Sequence, residues 1–385
     1  MSENSLPLGD VSLEQFLAEY WQKKPLLIRN ALPGCSPPIA ADELAGLACE
    51  DQVESRLILH DGSGGKWDLT HGPFDEETFC ALPEKHWTLL VQAVDFWVPE
   101  AAKFLDQFNF IPNWRLDDLM ISLSGDGGGV GPHFDHYDVF LAQVSGRRQW
   151  EVGGMFDEQS PCRPDTPVMI LTDWTPEQRW ILDPGDVLYV PPRVGHSGIA
   201  VGEDCMTCSV GFRASSHADM LREFADCVGG TLNEKLRYAD PDLVPQANPG
   251  EITPEALNKA YDILRQYVED EDKVAEWFGR SVTTLKYQEA EPVLGTYRLE
   301  DVRRHLAGGG ALIRNEGSRF AFQKQGNEIW LFVDGRLYRC PQTQMDLIDA
   351  LCARRTTSGD RFSQADEDLS LLVDLLNHGS LYLPD

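Results

Sequence analysis

Between Asp117 and Arg213 the apolar residues come in short runs, LMISLSG, DVFLAQVSG, RRQWEVGG, DVLYVPP, SGIAVG and MTCSVGF, separated by Gly, Pro and Asp. Runs of this length with turn residues between them predict short strands, and their regular spacing predicts a sandwich or barrel. RRQWEVGG is expected to begin after a turn at Ser145-Gly146. After Ser215 the period changes to that of helices in HADMLREFADCVGG and PEALNKAYDILRQYVEDEDKVAEWFGR. In the second, Leu257, Tyr261, Leu264 and Val268 form one apolar stripe, which predicts packing on a neighbouring domain or, by preference, a homodimer seam.

The flanks are mixed. Ser12-Leu-Glu-Gln15 fits a capping box opening the helix LEQFLAEYW, and KPLLIRNAL reads as a short buried strand. From about Glu291 the order is a helix stopped by glycines (YRLEDVRRHLAGGG), a hairpin (EIWLFVDGRLYRC) and two further helices. Asp334-Gly335 suits the type I′ turn of that hairpin. The expected division is therefore a β-rich unit over 1–214, a helical segment over 215–285 and a winged-helix-like tail over 286–385.

Charge narrows the partners. The 385 residues carry 33 Lys and Arg against 62 Asp and Glu, a formal charge of −29. That excludes a direct grip on nucleic acid through phosphate neutralisation, and loose docking on anionic membranes. It favours a basic partner. Residues 291–385 hold 11 basic and 14 acidic groups, so −26 of the charge lies on residues 1–290. Nine cysteines in so long a chain do not predict a disulfide framework, and Cys205-Met-Thr-Cys208 reads as strand rather than redox motif. MSENSLPLGD lacks the features of a secretion signal and no apolar stretch approaches a membrane span, so a cytoplasmic location is expected.

The chemistry concentrates in GDGGGVGPHFDHYDVF. On a strand, His133 and Asp135 point the same way, because residues two apart share a face. His196 follows Asp135 by 61 residues, in PGDVLYVPPRVGHSGIAV, far enough along for intervening strands to bring it back. Two histidines and one carboxylate with open positions are the donor set of non-haem Fe(II) oxygenases. His136 is expected to point away from the metal. If the electron source is 2-oxoglutarate, a cation is needed for its distal carboxylate. Arg148, in VSGRRQWEV, offers a bidentate fork, while Arg147 should face the other side. Ser122 and Ser124 share one strand face and either can supply a hydroxyl.

The segment WRLDDLMISLSGDGGGVGPHFDHYDVFLAQVSGRRQWEV resembles the Jumonji-C 2-oxoglutarate oxygenases, and more closely the bacterial ribosomal oxygenases. The resemblance spans essentially the whole chain and is most specific from Trp114 to His196. It implies an α+β protein with a double-stranded β-helix (jelly-roll, cupin-like) catalytic domain, then a helical dimerisation segment and a winged-helix-like domain. It implies Fe(II) held by His133, Asp135 and His196, 2-oxoglutarate held by Arg148, and O2 as oxidant. It further implies hydroxylation of an arginine β-carbon on the large-subunit ribosomal protein L sixteen. A substrate arginine needs a carboxylate and an aromatic face. Asp117 or, by preference, Asp118 can supply the first, Tyr137 the second, with Met120 as an apolar wall. Two rival readings are an N-methyl demethylase on the same iron, and a non-catalytic cupin-like binding protein whose tail is the functional element.

Overall fold

The computed structural model describes residues 6–62, 65–287, 296–359 and 365–384, and its chain contacts divide into two units, Met1–Ala214 and Ser215–Asp385. The first unit carries strands β1 (Leu26–Ile28), β2 (Ser55–His60), β3 (Trp67–His71), β4 (Trp87–Val91), β5 (Leu116–Ser124), β6 (Val139–Met155), β7 (Gln178–Leu182), β8 (Val187–Val190) and β9 (Val194–Phe212). Its helices are α1 (Leu13–Glu19), α2 (Ala41–Leu47), α3 (Glu76–Cys80) and α4 (Pro99–Leu105). Ser12 caps α1 by accepting from the Gln15 amide at 3.1 Å; the Gln15 side chain turns to Glu19 rather than back to the cap.

The strands are joined in the order β1-β8-β6-β9-β5-β4-β2-β3, with β7 on the other half of β6. No turn separates DVFLAQVSG from RRQWEVGG: β6 runs through Ser145-Gly146 as one strand, and SGIAVG and MTCSVGF likewise fuse into β9. The two long strands form an antiparallel ribbon whose halves serve different layers. Residues 139–142 of β6 pair with β8, whereas 148–152 pair with β7. Between the halves the β6/β9 register slips at Ser145, where Gly146 adopts φ of 58° and a Cβ would meet the Asp204 carbonyl at 2.9 Å. The slip reverses the pleat. Val139 and Leu141 before it, and Trp150 and Val152 after it, enter one interior cluster with Leu182, Leu188, Val190 and Val194. This is the double-stranded β-helix.

A second core lies on the outer side of the larger layer. Leu119, Ile121 and Leu123 of β5 pack there with Phe16, Phe104, Phe108, Phe140 and Tyr189. The alternate residues Asp118, Met120, Ser122 and Ser124 therefore face the interior of the jelly roll. Cys205 and Cys208 are buried free thiols, and burial pushes the Cys208 thiol well above its ordinary value, as expected of strand residues rather than a redox pair.

The second unit holds α5 (His217–Thr231), α6 (Pro254–Val268), α7 (Glu271–Thr283), α8 (Leu299–Ala307), β10 (Ala311–Arg314), β11 (Phe320–Gln325), β12 (Glu328–Val333), β13 (Arg336–Pro341), α9 (Met345–Ala353), β14 (Thr356–Ser358), α10 (Asp366–Asn377) and β15 (Leu381–Tyr382). The long helical stretch from Pro254 is two helices, because Asp270 caps α7 by accepting from the Lys273 amide. Gly279 of α7 lies so close to the Phe332 ring of β12 that a Cβ would approach it to 2.3 Å. Asp334 and Gly335 have φ of 50° and 77°, the double positive φ of a type I′ turn. No helix among the described residues is long and apolar enough to cross a membrane.

Candidate active site

His133 and Asp135 do not lie on a regular strand. They sit in the link between β5 and β6, where His133 forms an isolated antiparallel bridge with His196. The two backbones exchange hydrogen bonds, His133 N–H to the His196 carbonyl at 3.0 Å and His196 N–H to the His133 carbonyl at 2.8 Å. The Arg193 amide donates to the Asp135 carbonyl at 2.6 Å. These bonds do the work of the expected strand and bring the three side chains together, with one ligand atom of each within 4.8 Å of the others.

The ring orientations follow from their partners. His133 Nδ1 lies 2.9 Å from the Gly131 carbonyl and His196 Nδ1 lies 3.0 Å from that of Val194. A carbonyl only accepts, so each Nδ1 carries the proton and each Nε2 keeps its lone pair. Second partners of this kind orient histidine for a metal. His196 Nε2 lies 3.5 Å from Asp135 Oδ2. Burial first, then the nearby His133, hold the His196 imidazole down at about 4, despite the opposing effect of Asp135. It is therefore neutral, as a ligand must be. His136 is exposed, with Nδ1 3.8 Å from Glu158, and takes no part in this cluster.

The glycine-rich approach is a packing device. A Cβ on Gly128 would stand 2.1 Å from the Trp87 carbonyl oxygen, and one on Gly129 would stand 2.4 Å from that of Gly198. Only bare backbone lets the loop lie against β9, where Gly127 N–H reaches the Ala200 carbonyl and Ala200 N–H reaches that of Gly128.

Arg148 points into the interior from β6 and is only 3 % exposed, whereas Arg147 is on the surface. Its Nη2 donates to Ser124 Oγ at 2.7 Å and its Nη1 to the Gly198 carbonyl at 3.4 Å. Ser124 Oγ is in turn 3.0 Å from Thr88 Oγ1 on β4. No acidic side chain among the described residues pairs with Arg148, whose hydrogen-bond partners are Ser124 and Gly198, and its Nε is buried without a partner. A buried guanidinium with only neutral neighbours is costly unless an anion completes it. Ser122, on the same face, is buried two residues away, with Leu90 and Thr207 opposite it.

Towards the other end of β5, Asp118 is buried and accepts from Gln92 Nε2 at 2.8 Å. Asp117 turns the other way and pairs with Arg213 Nε at 3.3 Å. Burial, then the carboxylates of Asp135 and Asp118, raise the Tyr137 phenol far above its ordinary value, while part of the residue stays open to solvent. Thr88 and Gln92 escape a motif reading. Their one signal is that Thr88, Leu90 and Gln92 alternate with the core residues Leu89 and Val91.

Comparison with known proteins bears on this arrangement. A JmjC domain model matches residues 103–220, and a ROXA-like winged-helix model matches residues 265–382. The chain is 36 % identical over 375 residues to the ribosomal protein uL16 3-hydroxylase of Escherichia coli (strain K12), covering 94 % of this chain and 95 % of that protein. The chain belongs to the JmjC ribosomal oxygenase family. Its fold is similar to the X-ray structure of Escherichia coli ycfD, with a TM-score of 0.87 and 34 % identity over 97 % of this chain and 99 % of the other. It is also similar to YcfD, a ribosomal oxygenase from the same organism, in complex with cobalt and 2-oxoglutarate, with a TM-score of 0.85 and 33 % identity over 98 % and 99 % of the two chains. As a JmjC ribosomal oxygenase the protein is a dioxygenase dependent on Fe(II) and 2-oxoglutarate. The residues present fit both: two imidazole Nε2 atoms and a carboxylate for the metal, and an unpaired buried guanidinium for the dicarboxylate.

Proposed function

We propose that this enzyme hydroxylates an arginine β-carbon of the large-subunit ribosomal protein uL16, with His133, Asp135 and His196 as iron ligands and Arg148 as the anchor of 2-oxoglutarate. The observation that carries the reading is the buried, acid-free Arg148 on the interior face that also holds His196. Bound iron supplies the activation of O2, with electrons from the oxidative decarboxylation of 2-oxoglutarate, for oxygen insertion into a C–H bond.

The chain's own residues orient and enclose. Arg148 offers its fork to the far carboxylate of 2-oxoglutarate, and Ser124, held by Thr88, fixes the guanidinium and is the serine we assign to that pocket. The Nδ1–H groups of His133 and His196 stay hydrogen-bonded to backbone carbonyls, so both rings present Nε2 throughout. Asp118 takes the substrate guanidinium, Tyr137 lies beneath it and Met120 forms an apolar wall. The relative named for uL16 supports the substrate, and the −26 charge on residues 1–290 supports capture of a basic protein.

The division into 1–214, 215–285 and 286–385 belongs to the same reading. Leu257, Tyr261, Leu264 and Val268 are all exposed on α6, which supports a homodimer seam on the helical segment. Action on a ribosomal protein supports a cytoplasmic location. The test supplies the purified enzyme with Fe(II), 2-oxoglutarate, O2 and large-subunit ribosomal proteins, and reads them by mass spectrometry. Gain of one oxygen on uL16 alone is expected. Release of formaldehyde, or no consumption of 2-oxoglutarate, would overturn the assignment.

A further inference from the structure

Behind Asp118 stands a short polar relay that neither the iron nor the co-substrate requires. Gln92 follows the last residue of β4, and its backbone N–H is tied to the Glu54 carbonyl at 2.9 Å. Its side chain spans two charged neighbours. Arg56 Nη2 on β2 donates to Gln92 Oε1 at 3.3 Å, and Gln92 Nε2 donates to Asp118 Oδ2 at 2.8 Å. A guanidinium has donors only, so the amide has one workable orientation: oxygen to Arg56, nitrogen to Asp118.

The backbone around Asp118 is also specialised. The pairing of β5 with β9 shifts register between Leu116 and Leu119, and the Leu119 amide donates to the Asp95 carboxylate at 2.8 Å instead. Such an irregularity re-aims the side chain it contains. The nearest atom to a Cβ placed on Gly211 would be Asp118 Oδ1, at 3.8 Å, with nothing else close. Asp118 Oδ1 thus lies on the Gly211 side of the carboxylate, while Oδ2 is held by Gln92.

We propose that Gln92, its amide oriented by Arg56, is a positioning residue for the substrate cation. It holds Asp118 Oδ2 and so fixes the orientation in which the carboxylate meets the substrate guanidinium. This rests on the reading of Asp118 as the substrate's carboxylate. A neutral amide suits the task, since it fixes the carboxylate without cancelling its charge, which a direct Arg56–Asp118 pair would do. Gln92 acts through Asp118.

The test measures KM and kcat for uL16, KM for 2-oxoglutarate, and Tm, in Gln92→Leu, Arg56→Leu, Asp118→Asn and the Gln92→Leu/Asp118→Asn double variant. Gln92→Leu is expected to raise KM for uL16 about tenfold, a typical cost of one hydrogen bond to a charged group. KM for 2-oxoglutarate should stay within about twofold. Arg56→Leu should move the same parameter by about threefold, and it serves where Gln92→Leu folds poorly. In the Asp118→Asn background the Gln92 effect should vanish, because residues acting through one group are not additive. Unchanged KM for uL16 in Gln92→Leu and Arg56→Leu, with a raised one in Asp118→Asn, overturns the relay and leaves the substrate reading intact. An unchanged KM in Asp118→Asn overturns both.

Discussion

Arg148 Nη2 and Ser124 Oγ meet at 2.7 Å across the interior of the jelly roll, joining β6 to β5. Among the described residues no carboxylate pairs with the Arg148 guanidinium. Replacing Arg148 by Met removes both the cation and its fork. Loss of a buried charge partner costs about 2–5 kcal/mol, so KM for 2-oxoglutarate should rise at least about thirtyfold. Ser124→Ala should raise it about tenfold and Ser122→Ala by less. A Ser122 effect larger than that of Ser124 would reverse the choice between them.

Asp135 contributes the one carboxylate of the triad, and its side chain is 22 % exposed. Asp135→Ala should abolish turnover and weaken Co(II) binding by more than the roughly 10–100-fold that outer partners command. The Tm of the chelated protein should stay within about 2 °C. Normal hydroxylation by this variant would sink the ligand assignment.

The buried His196 makes the metal-free protein sensitive to acid. Its folded value, about 4, lies below the ordinary 6.5, so between these values the unfolded chain binds the extra proton. Stability should accordingly fall as pH drops from 6.5 to 4, by about 3 kcal/mol at most for this group. Urea titrations of chelated wild type and His196→Gln across this window should show a shallower slope in the variant. Identical slopes would remove His196 as the cause.

Gly129 lies against the carbonyl that Arg148 contacts, at Gly198. Gly129→Ala should cost about 1–3 kcal/mol through overpacking and raise KM for 2-oxoglutarate, because the backbone at Gly198 must yield. Gly46 in α2 has open space at the same position, so Gly46→Ala should be neutral or stabilising by up to about 1 kcal/mol. Equal effects at the two sites would contradict the packing role of the glycine loop.

The charge carried by residues 1–290 gives a kinetic expectation. Raising salt should lower kcat/KM for uL16, with the Debye length falling from about 10 Å at 0.1 M towards 3 Å at 1 M. KM for 2-oxoglutarate, set inside the protein, should respond far less. A flat salt series for uL16 would reduce the acidity to a matter of solubility.

Much of this was legible in the chain itself. The α10 and α8 helices, the Asp334-Gly335 hairpin and the α6 stripe rest on local periods and turn chemistry, which are properties of neighbouring residues, and the candidate triad of His133, Asp135 and His196 rests on ligand types. What only tertiary structure decided depends on register between distant strands. The slip at Ser145 reverses the pleat of β6, merging two expected strands and placing Arg148 on the same interior face as Leu141. A bridge to His196, not a strand of its own, holds His133. Pairing of β4 with β5 set Thr88 behind Ser124, and the side-chain contact at the other end set Gln92 behind Asp118, while Asp117 went to Arg213. Alternation along a strand tells which residues share a face. Which partner each one meets is fixed by pairing and bulges, and those are settled by contacts far apart in sequence.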